Sequence, residues 1–320
     1  MFFSLLLSSF FTFVELNCEN LFDTVHDSLK NDREFLPDDG YHWTKTRYWK
    51  KLNHISQEII ALGELQVENH PSDWHLPDLV ALCEVENDSA MIALTKRSLL
   101  RKAGYGYVMT SSPDERGIDV ALMYQPFSFR LLQYRPIRIK PLPDARPTRD
   151  ILYAKGLLVS DDTLHVFVVH APSRRGGEQV SRPYRLQVAS QLAHSVDSLY
   201  ALNDSARILI AGDFNDYHDS PALRYLASHH LINISAEVKG RNGAKGTYRY
   251  HGEWRSLDQM LCSPSLAARK VSCEVGDLPF LLEDDEKYGG KKPFRTYLGP
   301  RYLGGYSDHL PLVGWFQILQ

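Results

Sequence analysis

The sequence predicts an α/β protein of mixed β-sheets packed face to face, with helices on the outside. Three observations carry this. Apolar runs of strand length recur along the 320 residues. Two long stretches carry helical stripes instead, and between Ile118 and His170 several strands follow one another with no helix between them. A regular strand–helix alternation would wind a single parallel sheet and does not give that last pattern. No repeat or flexible linker divides the chain, so residues 1–320 are read as one domain.

In chain order, the opening MFFSLLLSSFF is apolar but shorter than the ~20 residues of a membrane helix. It lacks the positive start and small-residue cleavage site of a secretory signal. Residues 1–10 are either an extension of the first strand, Phe11–Leu16, or the remnant of an export signal. The compartment, cytoplasmic or exported, stays open with that choice. The further strand candidates are Asp78–Cys83, Ile118–Tyr124, Leu164–His170, Arg207–Ala211, Leu257–Cys262 and Leu310–Phe316. Tyr48, Leu52, Ile55, Ile59 and Leu62 form one helical stripe between Lys45 and Gly63. Val188, Leu192, Val196 and Leu199 mark a second between Ser181 and Leu202, with Pro183 expected in its first turn. Shorter helices are expected to start at Asp88-Ser89 and Ser220-Pro221. The irregular segments Asp23–Thr44, Arg135–Asp150 and Leu282–Gly305 are long enough to be site rims.

Composition narrows the function. A hydrophobic fraction of 43% and a charged fraction of 23% exclude a disordered tail, a collagen-like chain and a bundle of membrane helices. The net charge of −3 excludes a strongly cationic coat, so a phosphate-rich substrate must meet a local patch or a metal ion. Cys18, Cys83, Cys262 and Cys273 lack zinc-site spacing and are read as reduced, small apolar residues.

The informative pattern is where polar residues fall. Strand candidates end in or open on NCEN (17–20), EVEN (84–87), HAPS (170–173), GDFND (212–216), SLDQ (256–259) and SDH (307–309). Turn chemistry accounts for Asp and Asn singly, but it does not call for this mixture of Glu, Asp, Asn and His. NCENLF, the Glu of ALCEVEN, HAPSR, AGDFND, SLDQML and YSDHLPL resemble, in order and approximate spacing, the endonuclease/exonuclease/phosphatase superfamily with the DNase I-like fold. The resemblance spans Phe11 to Phe316. It implies a four-layered α/β/β/α sandwich and a metal-dependent hydrolase of phosphate esters.

The resemblance also assigns residues. Glu84, Asn17, Glu19 and Asp308 are the expected neighbours of a Mg²⁺ or Mn²⁺ ion, which hard oxygen ligands favour. His309 is placed against the scissile phosphate, as base or as cation, with Asp258 on its far nitrogen. Asp213 is to position or deprotonate the attacking water, Asn215 to donate to a phosphoryl oxygen, and His170 to stabilise transition-state charge. Asp119 either orients His170 or is structural. Arg174 and Arg185, in a cluster with Arg175 and Arg182, offer guanidinium forks to phosphate. Trp254 could wall the pocket or stack on a base, whereas Tyr248 is expected in the core. The partner is a phosphate-ester substrate, with nucleic acid among the candidates. A nuclease-like phosphodiesterase is favoured, and rim cations Arg135, Arg138, Lys140, Arg146 and Arg149 support it. The alternatives are a phosphatase or phosphodiesterase of small-molecule or lipid phosphates, and an inactive binding module on the same fold.

Overall fold

The computed structural model describes residues 10–65, 67, 74–143 and 145–317. Residues 1–9, to which the strand-or-signal alternatives apply, lie outside the described residues. Among the described residues, twelve strands build two mixed sheets of six. The first contains β1 (Phe10–Leu21), β2 (Leu79–Val85), β3 (Gly106–Met109) and β4 (Asp119–Tyr124). The second contains β5 (Phe129–Ile137), β6 (Ile151–Leu158), β7 (Thr163–His170), β8 (Arg207–Asp213), β9 (Ile232–Asn233) and β10 (Asp258–Cys262). Strands β11 (Lys270–Val275) and β12 (Leu312–Gln317) return to the first sheet, whose order is β11-β12-β1-β2-β4-β3. The second runs β5-β6-β7-β8-β10-β9. Among the described residues, only β1–β2 and β7–β8 pair in parallel.

Alternation along the strands sorts the core into layers. Phe11, Phe13, Leu79, Ala81, Val120 and Leu122 of the first sheet meet Val166, Val168, Leu209, Ala211 and Met260 of the second. The opposite parity faces outward. Val14, Leu16, Val80 and Leu82 pack under α1 (Lys45–Leu62), which buries its expected stripe. Phe167, Val169, Ile208 and Ile210 pack under α3 (Glu178–Leu202) and α4 (Pro221–Ser228). The expected sandwich of helix, sheet, sheet and helix is the observed one.

Local chemistry sets the helix ends. Thr44 caps α1 by accepting Arg47 N, and Ser220 caps α4 by accepting Leu223 N, with Pro221 at the first position. Helix α2 (Asp88–Ile92) starts at the expected Asp88, with Asn87 as the cap whose side chain accepts Ala90 N at 2.9 Å. One boundary differs from expectation. Helix α3 starts three residues before Ser181, behind Gly177, which puts Pro183 in the second turn. The 282–305 segment is not wholly irregular, since it folds two short hairpins, Leu282–Asp284 with Lys291–Pro293 and Tyr297–Leu298 with Arg301–Tyr302. All four cysteines are free thiols. Among the described residues no helix is long and apolar enough to cross a membrane.

Candidate active site

The alternation that fills the inter-sheet core also aims the site. Asn17 has the parity of Phe11 and Phe13, His170 that of Val166 and Val168, and Asp213 that of Leu209 and Ala211. Asp258 shares the parity of Met260. The inward stripes thus turn from apolar to polar at one end of the sandwich. Register brings the last residues together, because His170 lies opposite Asp213 and Asp213 opposite Asp258. Gly212 makes this possible, since a Cβ there would lie 1.8 Å from Val169 O on the neighbouring strand.

Glu84 enters by a different device. A bulge between Cys83 and Val85 breaks the pairing of β2, and Glu84 takes φ 62°. A matching bulge in β1 sets Glu19 at φ 45° and Asn20 at 64°, and Asn215 sits at 49°. Left-handed backbone at non-glycine residues costs about 1–2 kcal/mol each, a cluster that marks a site rather than a core. Asn20 N then donates to Glu84 Oε2 at 2.9 Å.

Asp213 is the hub. Its Oδ2 accepts from Asn17 Nδ2 at 3.2 Å and Asn215 Nδ2 at 3.1 Å, and its Oδ1 from Asn215 N at 2.7 Å. Burial, helped by Asp258 and Glu84 and opposed by His309, pushes its carboxyl up to about 7. His309 Nδ1 lies 2.8 and 3.1 Å from the two oxygens of fully buried Asp258. Thr247 Oγ1 also donates to Asp258 Oδ2. Burial alone would lower the His309 pKa, but Asp258, Asp213 and Asp308 together raise it well above the usual value, which favours the imidazolium form. His170 is the opposite case. Burial, with Arg149 and Arg116 nearby, holds it well below the ordinary range, which favours the neutral ring. Its Nε2 stands 3.6 Å from Asp213 Oδ2 and 3.9 Å from Glu84 Oε1, beyond hydrogen-bond length.

That gap suits a cation. Ligand atoms of Glu84, His170 and Asp213 lie within 4.8 Å of one another, a span that two ligands of one ion can bridge at hard-cation bond lengths of ~2.0–2.6 Å. Surplus carboxylates and a neutral imidazole supply the donors. A second group, Asp213, Asp258 and His309, has the same spacing, but there His309 is already committed to Asp258.

Several expected residues hold other positions. Glu19 accepts Thr296 N at 2.5 Å and Tyr297 N at 3.2 Å, and burial, with Asp308 beside it, raises its carboxyl to about 7. Asp308 Oδ2 accepts Arg295 Nη2 at 2.9 Å, and Arg295 Nε is 3.5 Å from Glu19. Arg295 therefore spans these two expected metal ligands, and nothing in its sequence context signalled it. Arg185, expected at the substrate, is 1% exposed and bonds Asp216 and Glu178. Arg174 bonds the same two carboxylates, so both brace the GDFND turn from behind. Asp119 does not reach His170; it accepts Thr110 Oγ1 at 2.5 Å and Ser112 N at 3.0 Å. The ring beside His309 is that of Tyr248, at 5.0 Å, not Trp254. Trp254 packs against the inter-sheet core with Arg249 over its ring at 5.7 Å.

Comparison with known proteins bears on the family and the fold. The model of the Endonuclease/Exonuclease/phosphatase family matches residues 12–317. No curated protein matches by sequence. Among solved structures, the mannosyl-6-phosphatase of Bacteroides thetaiotaomicron is 13% identical, covering 95% of this chain and 98% of its own, with a TM-score of 0.60. The human Nocturnin catalytic domain is 19% identical over 97% and 95% of the two chains, TM-score 0.56. D. rerio TDP2 with a single-strand DNA product is 14% identical over 96% and 99%, TM-score 0.55. At these identities the structural likeness speaks for the fold, and the family match over nearly the whole chain decides the rest: this chain belongs to the endonuclease/exonuclease/phosphatase family of metal-dependent phosphoesterases.

Proposed function

We propose that the protein cleaves phosphodiesters in a nuclease-like reaction, with water as nucleophile. The observation that carries this is the convergence of Glu84, His170 and Asp213 on one point beside the Asp258–His309 pair. Glu84, with Asp213 and His170, would hold a Mg²⁺ or Mn²⁺ ion, which supplies Lewis-acid polarisation of the phosphoryl oxygens. Imidazolium His309 binds the phosphoryl group as a cation and charge-assisted donor, and Asp258 fixes its tautomer and direction. With two side-chain amides fixing its carboxylate, Asp213 is placed to orient the attacking water. Asn215 stands ready to exchange its bond to Ala171 O, 3.1 Å long, for one to the substrate.

A second reading, hydrolysis of small-molecule phosphate monoesters, is favoured by the net charge of −3 and by the likeness to a sugar phosphatase. A panel of plasmid DNA, single-stranded DNA, RNA, nucleotides, inositol phosphates and mannose 6-phosphate, each with Mg²⁺ and with Mn²⁺, separates the two. Cleavage of internal phosphodiester bonds, abolished by EDTA, is the expected result. Turnover of monoesters alone would replace the nuclease reading with the phosphatase one.

A further inference from the structure

Beside the carboxylate–imidazole centre lies a separate cavity of about 410 Å³. Its volume falls within the ~300–1,000 Å³ of small-ligand sites. The walls come from residues 114–116, 139–142 and 145–149, Pro172-Ser173, and Tyr184 and Gln187 of α3. It touches the centre on two sides. Ala171, which follows His170, gives its carbonyl both to Asn215 Nδ2 at 3.1 Å and to Arg149 Nη2 at 2.7 Å. On the other side Arg116 donates to Asn20 Oδ1, and Asn20 N is the donor to Glu84.

The lining has a definite chemistry. Four cations, Arg116, Lys140, Arg146 and Arg149, stand against two carboxylates among the described lining residues. Arg149, only 9% exposed, is held by Asp114 at 3.2 Å. The Arg146–Glu115 contact, also 3.2 Å, is between exposed groups and holds Arg146 weakly. Positive charge is thus in surplus next to a centre in surplus of negative charge. Ile139, Leu142 and Tyr184 add apolar surface to the same cavity. A lone phosphate at the centre would use none of this.

We propose that the cavity is a second phosphate subsite. It receives a non-scissile phosphate together with the organic unit that joins it to the scissile one, so the preferred substrates carry at least two phosphates. Only the placing of the scissile phosphate rests on the function proposed above. Two sources share this chemistry, the neighbouring nucleotide of a polynucleotide and a doubly phosphorylated small molecule. Of the five rim cations singled out in the sequence, the structure puts Lys140, Arg146 and Arg149 on this cavity. Arg135 instead lies over the Tyr153 ring, and Arg138 pairs with Asp150 at 3.1 Å.

The test pairs binding with turnover. Thymidine 3′,5′-bisphosphate and thymidine 5′-monophosphate are titrated calorimetrically in EDTA, where no turnover occurs, against wild type, Lys140→Ala/Arg146→Ala and Arg146→Glu. Both positions are exposed, so the variants should melt as wild type does. Wild type should prefer the bisphosphate at least ten-fold, and both variants should lose most of that preference. With Mg²⁺, the ratio of kcat/KM for pTpT over a mononucleotide aryl ester should fall by a similar factor. Tighter binding of pTpT than of the bisphosphate names the polymer as source, and the reverse names the small molecule; either supports the subsite. Equal binding of the one- and two-phosphate ligands, or a preference untouched by the substitutions, overturns it. A preference that survives without turnover of any phosphoester would support the subsite while removing the function proposed above.

Discussion

Asp258 and His309 come from opposite sheets, or from the turn just ahead of one, and meet in a single charged unit. Asp258 is fully buried and touches His309 Nδ1 through both oxygens. A buried carboxylate without its imidazolium would be costly, and an imidazole without the carboxylate would lose its charge to burial. Each residue therefore works only through the other. Asp258→Asn should lower kcat far more than it raises KM, the signature of a lost transition-state interaction. His309→Ala should cost about 10²-fold or more. The double variant should be little slower than His309→Ala alone, because one unit cannot be disabled twice. Multiplying losses in steady-state kinetics would show that the two act independently. SLDQ and SDH were legible as motifs because both residues sit where an apolar strand meets polar chain. Thr247 and Arg295 were not, since a lone Thr before an aromatic run and an Arg in a long loop carry no period or spacing to read.

Strands and helices were legible where burial imposes a period and illegible where it does not. The stripe Tyr48, Leu52, Ile55, Ile59, Leu62 named α1 outright, and the GDFN strand continued in register to Asp213. Bulges at Cys83–Val85 and Asn17–Leu21 left no trace in the apolar pattern, because an insertion of one or two residues is settled by the partner strand. Helix α1 also hides an ionisable group inside its stripe. Glu58 is 1% exposed, and neither carboxylate oxygen has a hydrogen-bond partner among the described residues. Burial pushes it up to about 8, against the pull of Lys51. The folded pKa exceeds the unfolded one, so folding takes up a proton between about pH 4.5 and 8. Stability from this group is present below that window and is lost as pH rises through it. Glu58→Gln keeps the shape and removes the proton. Its melting temperature should exceed that of wild type at pH 8, and the gap should shrink toward pH 5. A constant gap across that range in thermal melts would mean that Glu58 is not the titrating group.

At the scale of the whole molecule, the site joins the two sheets where their shared core ends. Glu84 belongs to the first sheet, while His170 and Asp213 belong to the second. Between them the Cys83 thiol donates to Val169 O at 3.3 Å, a cross-sheet contact directly under the centre. The layer order was legible because strands succeed one another from Ile118 to His170 without a helix. The substrate was not, because rim segments choose it and nothing periodic governs how they fold. A divalent ion bound by Glu84, His170 and Asp213 would link the sheets and bind the native state alone. Mg²⁺ or Mn²⁺ should therefore raise the melting temperature in proportion to the logarithm of its concentration, by about 2.7 kcal/mol of stability at a hundred-fold excess over Kd. Asp213 must give up its proton to serve as a ligand, and without the ion its pKa is about 7. The increment should then be larger at pH 8 than at pH 6, as proton release on binding requires. Glu84→Gln should remove most of it at both values, because the variant keeps the bulk of the side chain but not its charge. A wild type whose melting is indifferent to either ion, or a Glu84→Gln protein that responds as fully as wild type, would place the metal elsewhere.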